Sequence, residues 1–194
     1  MRKPPIILAF AGSLREESYN RKLLKVAVAH AREAGATVVE VDLRDFLLPL
    51  YDGDHESAFG VPAAARQLRR LMLDCDGMLV ASPEYNGSVS GVLKNTLDWC
   101  SRPAGDGAAL EPYAGKPVAL MAASVSAYGG VRGLGHLRAI FGKLGATVLG
   151  EEVALPLAAG AFEADGQLVV AASQQIVGKV AASLVRLASV AGRP

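Results

Sequence analysis

Ile6-Ile7-Leu8-Ala9-Phe10-Ala11 followed by Gly12-Ser13-Leu14-Arg15-Glu16-Glu17-Ser18-Tyr19-Asn20 decides the fold. The first six residues are an unbroken apolar run, short enough for a strand covered on both faces. A helical pattern begins near Arg21 and places Leu23, Leu24, Ala27, Val28 and Ala31 on one face. The stretch between is therefore a strand-to-helix turn, and it is crowded with donors. A helix start leaves its first N–H groups unpaired and carries partial positive charge. Adding Ser13, Arg15, Ser18 and Asn20 makes an anion cradle, most economically for a phosphate. Ser18 or Asn20 acting only as an N-cap is the competing reading. Capping needs one such residue and has no use for Arg15.

The turn is not a P-loop, because no Gly-Lys-Ser/Thr follows it. Nor is it the dinucleotide fingerprint, since Gly12 stands alone where three glycines are needed. A hydroxyl-rich turn without either pattern suits one terminal monophosphate, such as that of flavin mononucleotide. FMN is accordingly expected to bind in preference to riboflavin, which lacks the phosphate. FAD is disfavoured because its adenylate has no evident site.

The pattern repeats along the chain. Strands are expected at Thr37–Asp42, Gly77–Ala81, Pro117–Ala123 and Ala146–Leu149. Helices are expected at Arg21–Ala34, Pro62–Asp74, Val89–Trp99, Val131–Leu144 and Gln167–Val190. Tyr51–Gly60 reads as an exposed, turn-like connection and Leu155–Asp165 as a loop or short extended piece. Alternating strands and helices give an α/β domain over 1–194, an open parallel sheet with helices on both faces. Five strands favour the flavodoxin-like order 2-1-3-4-5, with ligands at the carboxyl ends of the strands. The loops there are Gly12–Asn20, Ser82–Ser90 and Ser124–Gly130, the same three whose composition looks chemical.

Composition narrows the function further. The 194 residues carry a formal net charge of +1, which does not suggest a nucleic-acid surface. The chain is 51% hydrophobic and 20% charged, yet no apolar run spans a bilayer. Met1 to Pro5 leads straight into a strand, with no signal-peptide pattern. Cys75 and Cys100 are far apart and read as buried thiols, which fits a reducing cytoplasm. His30, His55 and His136 are scattered. Asp52, Asp54 and Glu56 lack calcium-loop spacing, so no metal site is expected.

In Ser82–Trp99, Pro83, Asn86 and Gly87 enforce a bend whose N–H groups can meet the polar edge of a planar heterocycle, with Tyr85 along the ring. A structured turn with a helix cap at Ser88 or Ser90 is the plainer alternative. Gly-Ser-Leu-Arg-x-x-Ser-x-Asn together with Pro-Glu-Tyr-Asn-Gly-Ser-x-x-Gly-x-Leu-Lys-Asn-x-x-Asp-Trp resembles the NADPH-dependent FMN reductase family, over nearly the whole chain. That family includes quinone, azo-dye and chromate reductases. The resemblance implies a flavodoxin-like fold, an FMN cofactor, NAD(P)H as co-substrate, and a homodimer or homotetramer. It implies that Ser13, Arg15, Ser18 and Asn20 hold the FMN phosphate. Pro83, Glu84, Tyr85, Asn86 and Gly87 would line the ring, with Ser124 and Gly129 contributing from the third loop.

The implied reaction passes a hydride from NAD(P)H to the flavin and electrons onward to a quinone, azo compound, free flavin or chromate. No general acid or base is implied, because the flavin supplies the reactivity. The alternatives are a flavodoxin-like electron carrier, which is usually strongly acidic, and a non-catalytic flavin-binding module. An even-numbered assembly is also expected from the apolar content and from Val92, Leu93, Leu97 and Trp99 on one helix. The loops Leu43–Gly60 and Pro103–Tyr113 are expected to flank the flavin mouth.

Overall fold

The computed structural model describes residues 3–105 and 107–191, so Met1, Arg2 and Asp106 of the readings above lie outside the described residues. Strands β1 (Ile6–Ala11), β2 (Thr37–Val41) and β3 (Gly77–Ala81) alternate with helices α1 (Tyr19–Glu33), α2 (Gly53–Phe59) and α3 (Ala63–Asp74). A hairpin of β4 (Glu84–Tyr85) and β5 (Ser88–Val89) precedes α4 (Gly91–Cys100). Then come β6 (Pro117–Ala123), α5 (Val131–Lys143), β7 (Thr147–Leu155) and α6 (Ala171–Ala191). The main sheet runs β2-β1-β3-β6-β7 and every pairing in it is parallel. Counting its own strands alone, that is the expected order 2-1-3-4-5.

Side chains on a strand alternate between faces, and β1 shows the consequence. Ile7, Ala9 and Ala11 pack under α1 and α6, against Leu23, Ala27, Val180 and Leu184. Leu8 and Phe10 face the opposite layer, with Leu68 and Met72 of α3, Leu97 of α4 and Phe141 of α5. Both sides of the central strands are thus core, which is why they read as continuous apolar runs.

Four expectations need correction. Tyr51–Gly60 is not merely a turn: α2 forms there, with Asp52 accepting from the Asp54 N–H at 2.8 Å as its cap. None of its residues is buried, so no apolar periodicity announced it. The fifth sheet strand extends from Thr147 to Leu155, well past Leu149. It slips register against β6 between Val118 and Leu120. Arg138 spans the irregularity, donating to the Leu149 carbonyl at 2.6 Å and to Glu152 at 2.6 Å.

The third correction concerns α4. Leu93, Leu97 and Trp99 are fully buried within the single chain. The Trp99 indole donates to the Pro49 carbonyl at 2.8 Å. Asn95 grips the same segment, donating to Pro49 and accepting from the Tyr51 N–H at 2.8 Å. The chain from Leu48 to Tyr51 therefore straps the outer face of α4, and these large groups need no second subunit to cover them. The loop 103–113 leaves the foot of α4, and its Tyr113 hydroxyl donates to the Leu97 carbonyl at 3.0 Å. It lies at the amino end of the sheet, away from the flavin side where it was expected.

Asp42, just beyond β2, ties three segments together. Its Oδ2 accepts from Arg44 at 2.7 Å and pairs with Arg21 of α1 at 2.8 Å. The Arg44 guanidinium, with Arg21 assisting and partial burial opposing, lowers the Asp42 carboxyl from 3.8 to about 2. A depressed carboxylate contributes stability above its unfolded value and loses it as pH falls through its folded value. Asp42→Asn is expected to cost about 1 kcal/mol at pH 7, as for a networked ion pair at a partly exposed site. Denaturant titrations of both proteins should show that difference vanish as pH falls from 3.8 to about 2.

Candidate active site

The ends of β1, β3 and β6 lie side by side, and all three end in alanine: Ala11, Ala81 and Ala123. That leaves little side-chain bulk at the floor. The loops that follow are bound to the neighbouring strand. Gly12 N–H donates to Ala81 at 2.8 Å, Ser82 N–H to Met121 at 2.8 Å, and Ser124 N–H to Leu155 at 3.0 Å. Beyond β1 the chain turns toward β2, and beyond β3 toward β6. The loops diverge and a crevice opens between them.

A cleft of about 150 Å³ occupies that crevice, lined by Ser13, Arg15, Ser18, Tyr19, Asn20, Pro83, Glu84, Tyr85, Ala123, Ser124 and Val125. A larger concavity of about 590 Å³ lies at the amino end of the sheet, among Lys3, Ala34, Asp76 and Ser189, away from these loops. Eight of the residues expected from sequence meet in the cleft. Asn86 and Gly87 are at the hairpin tip and Gly129 is outside it. Tyr19 and Val125 also line it, and no local pattern singles out either; Tyr19 occupies the variable position between Ser18 and Asn20.

Ser18 occupies the N-cap position of α1 with no side-chain capping bond, and no acidic residue lies in the first helical turn. The hydroxyl and the first helical N–H groups are therefore left for an anion. Ser13 and Ser18 are buried, whereas Arg15 is exposed and makes no side-chain hydrogen bond or ion pair among the described residues. Its guanidinium is held back from no other partner.

Asn20 differs from them. Its amide donates to the Ala123 carbonyl at 2.9 Å and accepts from the Ala123 N–H at 2.9 Å. One amide N–H and the carbonyl oxygen of the side chain are engaged in binding α1 to the end of β6. Asn20 lines the cleft as its strut.

The hairpin holds the other wall. Asn86 and Gly87 have φ of 52° and 79°, the two-residue turn with positive φ at both positions that Asn-Gly favours. It leaves Tyr85 at 47% exposure beside the cleft. Ser90 closes the hairpin: its hydroxyl donates to the Gly12 carbonyl at 2.6 Å and caps α4 by accepting from the Leu93 N–H. The Glu84 carboxylate turns away to α5, accepting from the Gly133 N–H at 2.9 Å and pairing with Arg132 at 2.9 Å. Burial pushes this carboxyl up, but the Gly133 and Arg132 contacts outweigh it and hold it below the usual carboxylate range.

In the third loop, Ser124 Oγ accepts from the Ser126 N–H at 3.2 Å. A Cβ on Gly129 would lie 2.8 Å from the Ala154 carbonyl carbon, so that glycine serves the approach of the loop to β7. No group of three or more His, Cys, Asp or Glu side chains is placed to hold a metal ion among the described residues. The donor set fits FMN: an anion seat with two hydroxyls and a cation at one end, and an exposed tyrosine on a rigid turn at the other.

Arg15→Ala is expected to weaken FMN binding by about 1.5–3 kcal/mol, the value of a hydrogen bond to a charged group, and to leave riboflavin binding unchanged. Parallel fluorescence titrations with the two flavins measure the difference.

Comparison with known proteins agrees with this geometry. Over 164 residues, 84% of each chain, the sequence is 37% identical to an NAD(P)H-dependent FMN reductase of Pseudomonas aeruginosa. It is 38% identical over 147 residues to a quinone reductase of Escherichia coli, covering 74% of this chain and 72% of that one. The fold superposes with a TM-score of 0.80 on FerB, a flavoenzyme NAD(P)H:(acceptor) oxidoreductase from Paracoccus denitrificans. The match covers 95% of this chain and 97% of FerB at 26% identity. Residues 5–160 match the NADPH-dependent FMN reductase family, so the chain belongs to that family and is an NAD(P)H-dependent oxidoreductase with FMN as its cofactor.

Proposed function

We propose that the protein, as one FMN-binding domain over 1–194, reduces a small quinone-type acceptor at the expense of NAD(P)H. The observation that carries this is the meeting of an unengaged Ser18, Arg15 and the Tyr85 hairpin in one cleft at the ends of β1, β3 and β6. The quinone reductase names of relatives, including a 2-hydroxy-1,4-benzoquinone reductase from Burkholderia that is 40% identical over 134 residues, favour that acceptor class. The chemistry that FMN would supply when bound is hydride acceptance from NAD(P)H and electron donation to the acceptor. The protein's part is to hold and orient it. Ser13, Arg15, Ser18 and the N–H groups of the first turn of α1 would fix the phosphate. Pro83, Tyr85 and the hairpin backbone would border the ring, where N–H groups stabilise negative charge on the reduced state. No residue is assigned as a general acid or base.

Donor and acceptor would use this cleft in turn. Gly130-x-x-Gly133-x-Gly135 offers no second nucleotide site, because Gly133 lies in α5, where an added Cβ would sit 3.2 Å from Glu84 and from the Ser88 carbonyl. A cytoplasmic setting is supported by two cysteines that are buried and unpaired, Cys100 being pushed up to about 12 by burial. No helix among the described residues is long and apolar enough to cross a membrane. Steady-state rates with NAD(P)H and a benzoquinone are expected to give parallel double-reciprocal lines. Intersecting lines would mean that both substrates bind together and that the single cleft is the wrong picture.

A homodimer or larger even assembly is part of the proposal. Its support is not α4 but the strap outside it with its flanks, where Leu47, Leu50 and Phe59 of α2 are each 78% or more exposed. Light scattering on dilute protein is expected to show at least a dimer, and Leu50→Asp with Phe59→Asp to shift it toward monomer.

A further inference from the structure

Helix α5 begins without any cap of its own. Its N-cap residue is Gly130, at φ 89°, and its first turn holds no acidic side chain. The Val131 N–H pairs with the Tyr128 carbonyl at 3.2 Å, but the N–H groups of Arg132 and Gly133 and the positive end of the helix dipole would otherwise go unanswered. The answer comes from 49 residues away. Glu84, whose side chain is 8% exposed, places one oxygen 2.9 Å from the Gly133 N–H and the other 3.0 Å from Arg132 Nε. Arg132 in turn lies over the Tyr128 ring, 5.2 Å from its centre.

A second contact grips the other strand of the hairpin. Ser88 Oγ lies 2.9 Å from His136 Nδ1, one helical turn further along α5. Glu84 belongs to β4 and Ser88 to β5, and they flank the Tyr85-Asn86-Gly87 turn. Gly133 lets the helix lie against both. The two-stranded hairpin is too short to hold its own shape in water. Its shape comes from Ser90 at one end and from α5 along its side.

We propose that Glu84 is a positioning residue: by capping α5 from outside the helix it fixes the hairpin that borders the flavin ring, and it does not itself hold the cofactor. This rests on the reading that the cleft binds FMN. It makes Glu84 distinct from Arg15, because one acts on the ring end and the other on the phosphate end.

The test compares Glu84→Ala, Glu84→Gln and Arg15→Ala with the native protein, titrated with FMN and with riboflavin. The readouts are flavin fluorescence and the positions of the visible absorption bands of the bound flavin. Glu84→Ala is expected to weaken both flavins by the same factor, on the order of tenfold, as for one lost charge-assisted contact, and to shift the bands. Glu84→Gln keeps an oxygen for the Gly133 N–H and should recover most of that loss. Arg15→Ala should weaken FMN alone.

Should Glu84→Ala fail to fold, Arg132→Ala and Ser88→Ala each remove one clasp with Glu84 in place, and each should weaken both flavins by a smaller common factor. A folded Glu84→Ala with unchanged affinities and bands overturns the positioning role while leaving the FMN reading intact. Loss of FMN but not riboflavin overturns it too, by moving Glu84 to the phosphate end. A native protein that takes up neither flavin overturns both readings.

Discussion

The arrangement of β1 between β2 and β3 is the constraint from which the rest follows. Because all five sheet strands are parallel, every loop with chemical content emerges on one edge. Because the chain leaves β1 in one direction and β3 in the other, those loops part and leave a crevice. Had β1 lain at the sheet edge, Gly12–Asn20 would face one neighbour instead of two, and no cleft would form between it and the hairpin. The alternating burial of β1 fits this central place, since Ile7 and Ala9 pack into one helical layer while Leu8 and Phe10 pack into the other.

Polar residues around the cleft fall into two groups that look alike in sequence. Among the described residues, the side chains of Ser18 and Arg15 have no other hydrogen-bonding duty. Asn20, Glu84 and Ser90 have theirs engaged by backbone groups of Ala123, Gly133, Gly12 and Leu93. The first group can change partners when a ligand arrives. The second cannot without leaving a buried donor or acceptor unsatisfied, which costs more than the bond itself contributes. The cleft is therefore a rigid frame with a small adjustable lining.

This division explains what was legible in the sequence. The strand order and the three loops could be read because apolar runs and turn residues are local signals. The Asn86-Gly87 turn is the clearest case. What each polar side chain does could not be read where the partner is remote: nothing near Glu84 announces Arg132 and Gly133, and nothing near Asn20 announces Ala123. The same limit applies to α4, because nothing near Trp99 in the sequence announces Pro49, which lies over it. Helix α2 was invisible for a different reason, having no buried residue to impose a period. The length of β7 was hidden by Gly150-Glu151-Glu152, which interrupts the apolar pattern where the register slips.

The pair of hydrogen bonds between Asn20 and Ala123 bridges 103 residues of chain. A contact of such range forms only after the intervening segments have collapsed. During synthesis the turn at Gly12–Asn20 emerges early, but its strut does not exist until β6 has left the ribosome and paired with β3. An amino-terminal fragment ending before Pro117 would carry Ser13, Arg15 and Ser18 and still lack the scaffold that positions them. This wall of the cleft is thus completed only at assembly of the sheet, late in the folding of the domain.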